Sequence, residues 1–88
     1  MEEIDLKIFK LLEFLKSTGM VASEYEFAIS IGKAPQHVNN IKNRKDRHFT
    51  IKDVVMMQQL YNVNMNWLFG NETNVFNKKS TQNSTQNE

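Results

Sequence analysis

Residues 24–43 read EYEFAISIGKAPQHVNNIKN and predict two short helices joined by a tight turn. The first helix begins at Ser23. Ser23 and Glu26, three residues later, make a capping box in which the hydroxyl accepts from a backbone N–H and the carboxylate reaches back to the N–H of the cap. Gly32 ends that helix. Pro35 opens the next one, because its missing N–H costs nothing at the first helical position.

Four positions inside this segment meet the demands of two helices that cross closely. Ala28 is small where the helices approach each other, and Gly32 tolerates the positive φ of a sharp turn. Val38 and Ile41 are the only apolar residues in the second helix after its first position, and they anchor it to the rest of the fold. This order of elements predicts a helix-turn-helix.

The exposed side of the second helix is rich in amides. Its polar residues are Gln36, His37, Asn39, Asn40 and Asn43. Asparagine is a mediocre helix former, so helix propensity does not explain this composition. The face is either an ordinary solvated surface or a set of side chains that read base edges, and the residues alone leave both alternatives open.

An amphipathic helix is predicted before this pair, from Ile4 to about Lys16, because apolar residues recur there at three- and four-residue steps. Its acidic residues are expected on the solvated side, where they converge on no common point: Glu2, Glu3, Asp5 and Glu13. No catalytic site is expected from them.

Two more helices are predicted after the pair. Thr50, with Asp53 three residues later, begins a helix that runs to about Tyr61. The apolar residues that this helix is expected to bury are Ile51, Val54, Val55, Met56 or Met57, and Leu60. Asn64 caps a short last helix over residues 65–69, in which Trp67 and Leu68 are expected to be core residues.

Together these elements predict an all-α fold, a compact bundle of about five short helices that contains the helix-turn-helix. The 88-residue chain has room for one domain, which we place at residues 1–76. Residues 77–88 include the tandem repeat STQNSTQN, which has nothing to bury. A disordered polar tail or linker is expected there.

Composition excludes several classes of function. The chain has no Cys, two His and three Gly, so a thiolate metal site, a cysteine nucleophile and a glycine-rich phosphate loop are not expected. We therefore expect no enzyme activity, no cofactor and no metal. Because the chain starts with acidic residues and lacks a long apolar run, no membrane segment is expected and the protein is predicted to be cytoplasmic.

The net charge of +1 hides a strongly basic stretch. Residues 33–52 carry six of the eleven Lys and Arg side chains and a single acid, Asp46, which gives a local charge of +5. A local charge of this size attracts polyanions. A solvated basic surface is the alternative interpretation.

Beyond these local patterns, residues 24–43 resemble the helix-turn-helix of the lambda-repressor-like family, also called the Cro/CI or XRE-type family. The resemblance depends on Ala28, Gly32, Val38 and Ile41, and it continues through YNVNMNWLFG at residues 61–70, which is similar to the end of the family's fourth helix and its Trp-Leu fifth helix. It covers roughly residues 4–76.

The resemblance implies a sequence-specific double-stranded DNA-binding transcriptional regulator, of the phage- or XRE-type repressor kind, with helix 35–43 in the major groove. Base-reading residues would be Gln36 and Asn40, flanked by His37 and Asn39. Phosphate contacts would come from Ser23, Lys33, Lys42, Asn43, Arg44, Lys45 and Arg47, with Lys52 at the margin. A homodimer on a pseudo-palindromic operator is expected, and its candidate contact residues are Met65, Phe69 and Phe76.

Three departures accompany the resemblance. Glu24 stands where the family usually has a phosphate-binding Gln, Pro35 replaces a residue that often reads bases, and the link at residues 19–22 is about two residues longer. Glu24 and the acidic first helix favour an alternative function, an antitoxin or other protein-interaction module on the same fold. Salt-dependent binding to random duplex DNA separates the two hypotheses.

Overall fold

Five helices follow one another along the part of the chain that the structure describes. In this computed structural model the described residues are 3–44 and 46–77, and their helices are α1 (Glu3–Ser17), α2 (Glu24–Ser30), α3 (Pro35–Asn43), α4 (Ile51–Tyr61) and α5 (Met65–Leu68). The same ranges contain no β-strand, only one isolated antiparallel bridge between Val63 and Phe76. The predicted all-helical class is confirmed.

Two further expectations concern the ends of the chain and the membrane. None of the helices in the described ranges has the length and apolar character needed to cross a lipid bilayer. The predicted polar tail begins at Asn77, and the remainder of it lies outside the described residues.

One apolar core joins all five helices. α1 supplies the largest share through Ile8, Leu11, Leu12 and Leu15, whose three- and four-residue spacing puts them on one side of the helix. The other buried apolar residues are Val21, Phe27, Ala28, Ile31, Val38, Ile41, Phe49, Met57, Val63, Trp67 and Leu68. Val38 and Ile41 on α3, and Trp67 and Leu68 on α5, were all predicted to be buried, and the structure confirms it.

The turn between α2 and α3 follows from local residue chemistry. Gly32 adopts φ +75°, a left-handed conformation that a side chain would strain. The N–H of Lys33 then donates to the carbonyl oxygen of Ala28 at 2.9 Å, which closes the end of α2. Ala28 itself is fully buried. The sequence prediction for both Ala28 and Gly32 is therefore consistent with the way the chain turns here.

The predicted cap of α2 is confirmed in one half and wrong in the other. The Ser23 hydroxyl accepts from the N–H of Glu26 at 3.2 Å, as expected. The Glu26 carboxylate, however, accepts from the N–H of Ala22 and not from that of Ser23. At α4 both halves are present, since Thr50 Oγ1 accepts from Asp53 N–H at 3.2 Å and Asp53 Oδ2 accepts from Thr50 N–H at 2.9 Å.

The predicted buried side of α4 is partly wrong. Met57 is buried, and Val54 and Met56 are half-buried, but Ile51, Val55 and Leu60 are exposed. The reason is that Asp53, held by the capping box, turns inward together with Met57 one turn later. Successive helical residues rotate by about 100°, so Ile51 and Val55 lie on the opposite side. Leu60 falls in the last turn.

The segment after α5 returns to the start of that helix. Asn64 caps α5 through its side chain, which accepts from the N–H of Asn66 at 3.0 Å. Its own backbone N–H donates to the carbonyl of Val75 at 2.8 Å, and Asn77 N–H donates to the carbonyl of Asn62 at 3.0 Å. These bonds fix residues 75–77 beside the link between α4 and α5.

Substitution of Ala28 by Leu is expected to destabilise the fold, because a fully buried methyl group leaves no room for a larger side chain between α2 and α3. Overpacking of this kind costs about 1–3 kcal/mol. Thermal or urea unfolding of Ala28→Leu measures it, with Ala22→Leu as the matched control at an exposed alanine. Equal stability of the two variants would contradict close packing at Ala28.

Candidate nucleic-acid interface

The polar side of α3 faces away from the core. Val38 and Ile41 are buried, and a rotation of about 100° per residue puts Gln36, Asn40 and the other amides on the opposite side of the helix. Among the predicted base-reading residues, Gln36, His37 and Asn39 are exposed and Asn40 is half-buried. Three amides thus share one face, while His37 lies at its edge.

Two hydrogen-bonded amide pairs run along this face. Gln36 Nε2 donates to Asn40 Oδ1 at 3.2 Å, and Asn43 Nδ2 donates to Asn39 Oδ1 at 3.1 Å. A primary amide has two N–H donors and a carbonyl oxygen with two lone pairs. Within the described residues, Gln36 keeps one N–H and its carbonyl oxygen without a partner. This is the pair of atoms that bidentate recognition of adenine needs.

Two lysines of the basic stretch form ion pairs within the fold, Lys33 in a largely buried position and Lys42 at the surface. Lys33 Nζ lies 2.9 Å from Asp53 Oδ2, and both side chains are largely buried. Lys42 Nζ lies 2.6 Å from Glu24 Oε1 and 5.7 Å from the centre of the Phe9 ring. Both lysines were predicted to bind phosphate. Their carboxylate partners compensate the charge that a phosphate would otherwise meet.

The arginines of the stretch are more available. Arg44 ends α3 and lies 3.5 Å from Asp46, with both side chains exposed, so the pair is weak. Arg47 is exposed, and within residues 3–44 and 46–77 it makes no ion pair. Lys45 is outside the described residues. Of the predicted phosphate contacts that are described, Arg47 and the marginal Lys52 therefore keep charges without a carboxylate partner.

The start of α2 carries acidic rather than basic side chains. Ser23 uses its hydroxyl as the helix cap, and Glu24 and Glu26 lie in the first turn. The carboxylate of Glu26 accepts from the N–H of Ala22 just outside the helix. Negative charge at this end stabilises the helix dipole but repels a phosphate. The phosphate contact at Ser23 stays a prediction.

An open cleft of about 220 Å³ lies between α3 and the chain that leads into α4. Lys33, His37, Asn40, Arg47 and His48 contribute to its lining. Nitrogen-bearing side chains thus line part of the cleft, beside Ile41 and Thr50. No group of three or more metal-ligating side chains occurs among the residues that the structure describes.

Asp5 is a further residue whose position the sequence predicted wrongly. It was expected on the solvated side of α1, but its side chain is fully buried. Asp5 Oδ2 lies 2.8 Å from His48 Nδ1, and Asp5 Oδ1 accepts from the N–H of Phe49 at 3.0 Å. The missed signal is its register: Asp5 precedes Ile8 by three residues and Leu12 by seven, so it continues the apolar stripe.

Comparison of the chain with protein-family models, with curated proteins and with solved structures gives no match. The assignment of a function therefore depends on the side chains themselves. They form an amide-rich helix face, an exposed arginine beside it, and a cleft partly lined by nitrogen-bearing side chains.

Lys33 is expected to contribute to the stability of the fold through its ion pair with Asp53. Lys33→Met removes the partner of a largely buried carboxylate and should lower the free energy of unfolding by about 3 kcal/mol, the lower end of the range for a buried ion pair. Lys52→Met is the matched control. Lys52 directly precedes Asp53 in the chain, but it is exposed and has no ion pair among the described residues. Urea unfolding checks both. A harmless Lys33→Met would show that the pair with Asp53 contributes little.

Proposed function

We propose that this protein binds double-stranded DNA sequence-specifically and acts as a transcriptional regulator of the phage- or XRE-type repressor kind. In this proposal α2, the turn at Gly32 and α3 are a helix-turn-helix, and α3 enters the major groove. The observation that carries the proposal is the polar side of α3, where paired amides lie opposite the buried Val38 and Ile41.

Gln36 and Asn40 are the proposed principal readers of bases. The bond between them holds the Gln36 amide in one orientation and leaves it one N–H and one carbonyl oxygen. An adenine presents N7 as an acceptor and N6 as a donor in the major groove, so the two atoms match. Asn39, bonded to Asn43, and His37 at the edge of the face are proposed to flank this contact.

Arg47, Arg44 and Lys45 are proposed to contact the phosphates beside the groove. Such contacts fix the position of the protein on the duplex and provide most of the salt dependence, without reading sequence. Lys33 and Lys42 have a different part in the proposal. Their carboxylate partners make them supports of the turn and of the packing between α2 and α3.

The proposal includes a cytoplasmic homodimer on a pseudo-palindromic operator, because one short helix reads only a few base pairs. Phe69 is exposed just after α5 and is the proposed centre of the contact. Met65 and Phe76 are half-buried at the same end of the fold and have less surface to offer. No catalytic step is part of the proposal.

A protein-interaction module, such as an antitoxin, is the second candidate. Two observations favour it. Glu24 neutralises Lys42 at the start of the predicted interface, and Ile51, Val55 and Leu60 expose apolar surface on α4. Exposed apolar surface of this kind often marks a binding site for another protein.

A salt series separates the two candidates. Binding to random duplex DNA is measured by fluorescence anisotropy between about 50 and 200 mM salt, followed by selection of preferred sites from a random pool. A DNA-binding regulator should lose affinity steeply with salt and should enrich a common site. Weak, salt-independent binding with no enriched site would favour the interaction module.

Gln36→Ala is expected to weaken binding to the selected site by about 1–3 kcal/mol and to leave binding to random duplex nearly unchanged, because it removes a base contact. Gln59→Ala, at an exposed glutamine of α4, is the matched control and should change neither affinity. Equal losses on both duplexes would mean that Gln36 does not read sequence.

Arg47→Ala is expected to weaken binding to every duplex and to reduce the slope of log K against log salt by about 0.9, the value for one phosphate contact. Lys16→Ala is the control, since Lys16 lies in the last turn of α1 and pairs with Glu13. A slope that stays at the wild-type value in Arg47→Ala would remove Arg47 from the phosphate contacts.

A further inference from the structure

The chain between α3 and α4 is held against the first turn of α1 by one carboxylate. Asp5 is fully buried, and its two oxygens contact the ring Nδ1 of His48 at 2.8 Å and the backbone N–H of Phe49 at 3.0 Å. Since a carboxylate only accepts hydrogen bonds, Nδ1 of His48 is the donor. We infer that Asp5 is a positioning residue for the phosphate contacts of this loop, an inference that rests on the proposed function.

The requirements of α1 alone do not explain this arrangement. An acid in the first turn stabilises the helix dipole equally well from an exposed position, as Glu3 does. Asp5 instead gives up its contact with water, and its partners His48 and Phe49 lie 43 and 44 residues away in the chain. A buried carboxylate is tolerated only with donors in place. Burial of Asp5 and the position of the loop are therefore coupled.

The contact fixes the second end of a very short span. At the first end, Arg44 closes α3 through its N–H, which donates to the carbonyl of Asn40 at 2.7 Å. At the second end, His48 and Phe49 are bound to Asp5. Only residues 45–47 lie between the two ends. Arg47 directly precedes His48. The contact between Asp5 and His48 therefore fixes the position of the Arg47 backbone at the edge of the cleft.

A fixed loop makes each phosphate contact stronger. When a loop orders only on binding, the entropy lost in ordering it is subtracted from the affinity. With Asp5 in place, His48 and Phe49, which directly follow Arg47, are fixed during folding. Without it, Arg47 is no longer held near the phosphate, so its contact and the counterion that this contact releases are lost.

The ring contact of Phe49 with Phe9 is separate from the hydrogen bonds of Asp5. The hydrogen bond to His48 can therefore be tested by itself. Phe49 is buried, and its ring centre lies 5.4 Å from that of Phe9 on α1. In Asp5→Asn this ring contact is retained, and the amide oxygen still accepts from Phe49 N–H. The amide N–H₂ that replaces the second oxygen is no acceptor for His48. The variant thus removes the negative charge and the oxygen that accepts from Nδ1–H of His48.

The test compares wild type, Asp5→Asn, His48→Ala and the double variant in the salt series on random duplex. Asp5→Asn should lower the slope of log K against log salt by about one to two, and the affinity near 150 mM salt should fall by about fivefold for each phosphate that is no longer bound. The same reduction should follow from His48→Ala. The double variant should bind no more weakly than either single variant, because both break the same hydrogen bond.

Glu3→Gln is the matched control, since it removes one negative charge from the first turn of α1 at an exposed position. It should keep the wild-type slope. Asn64→Ala, which removes the cap of α5, controls for lowered stability alone. Lower stability reduces the fraction of folded protein but does not change how many phosphates the folded protein binds, so the slope of this variant should also stay unchanged.

The outcomes separate this inference from the proposed function. If wild type binds duplex DNA with a steep slope and both Asp5→Asn and His48→Ala keep that slope, the inference is overturned and the proposed function stands. If wild type shows no salt-dependent binding, both fall. Should Asp5→Asn fail to fold by circular dichroism, His48→Ala decides: a lowered slope supports the inference, and an unchanged slope overturns it.

Discussion

The buried carboxylate of Asp5 is the polar contact that joins the beginning of the fold to its middle. A carboxylate without water must receive hydrogen bonds, and His48 and Phe49, in the segment between α3 and α4, donate to it. The rings of Phe9 and Phe49 pack next to this contact and extend it with apolar surface. The first helix and the chain after α3 are therefore joined beside the core, to which Val38 and Ile41 attach α3.

Charge in the basic stretch is divided between folding and the proposed binding. Lys33 and Lys42 pair with Asp53 and Glu24, so they connect the turn to α4 and α2 to α3. Local net charge is therefore a poor count of the cations available to a phosphate. Because Lys33 and Lys42 are paired, the exposed Arg47 provides a large share of the proposed attraction to phosphate.

The helix boundaries could be predicted because their causes are local. Ser23, Pro35 and Thr50 each act within three residues, through a cap or a missing N–H. The position of Asp5 could not be derived in this way, since its partners lie more than forty residues away. The exposure of Ile51 was also missed, because α4 carries apolar residues on several sides. The inward side is the one that contains Asp53, which is held by its capping box and by Lys33. The amide face of α3 was visible in the sequence, but its pairing was not.

The two amide pairs on α3 have a consequence for how recognition by this helix can change. Each pair is a unit: the orientation of Gln36 depends on Asn40, and that of Asn43 depends on Asn39. Side chains in direct contact are not independent when they are substituted. A single exchange in one pair also reorients the remaining partner, so new base preferences are reached more directly by exchanging both members together. In the proposed interface, the side chains that read bases therefore act in pairs whose members lie one helical turn apart.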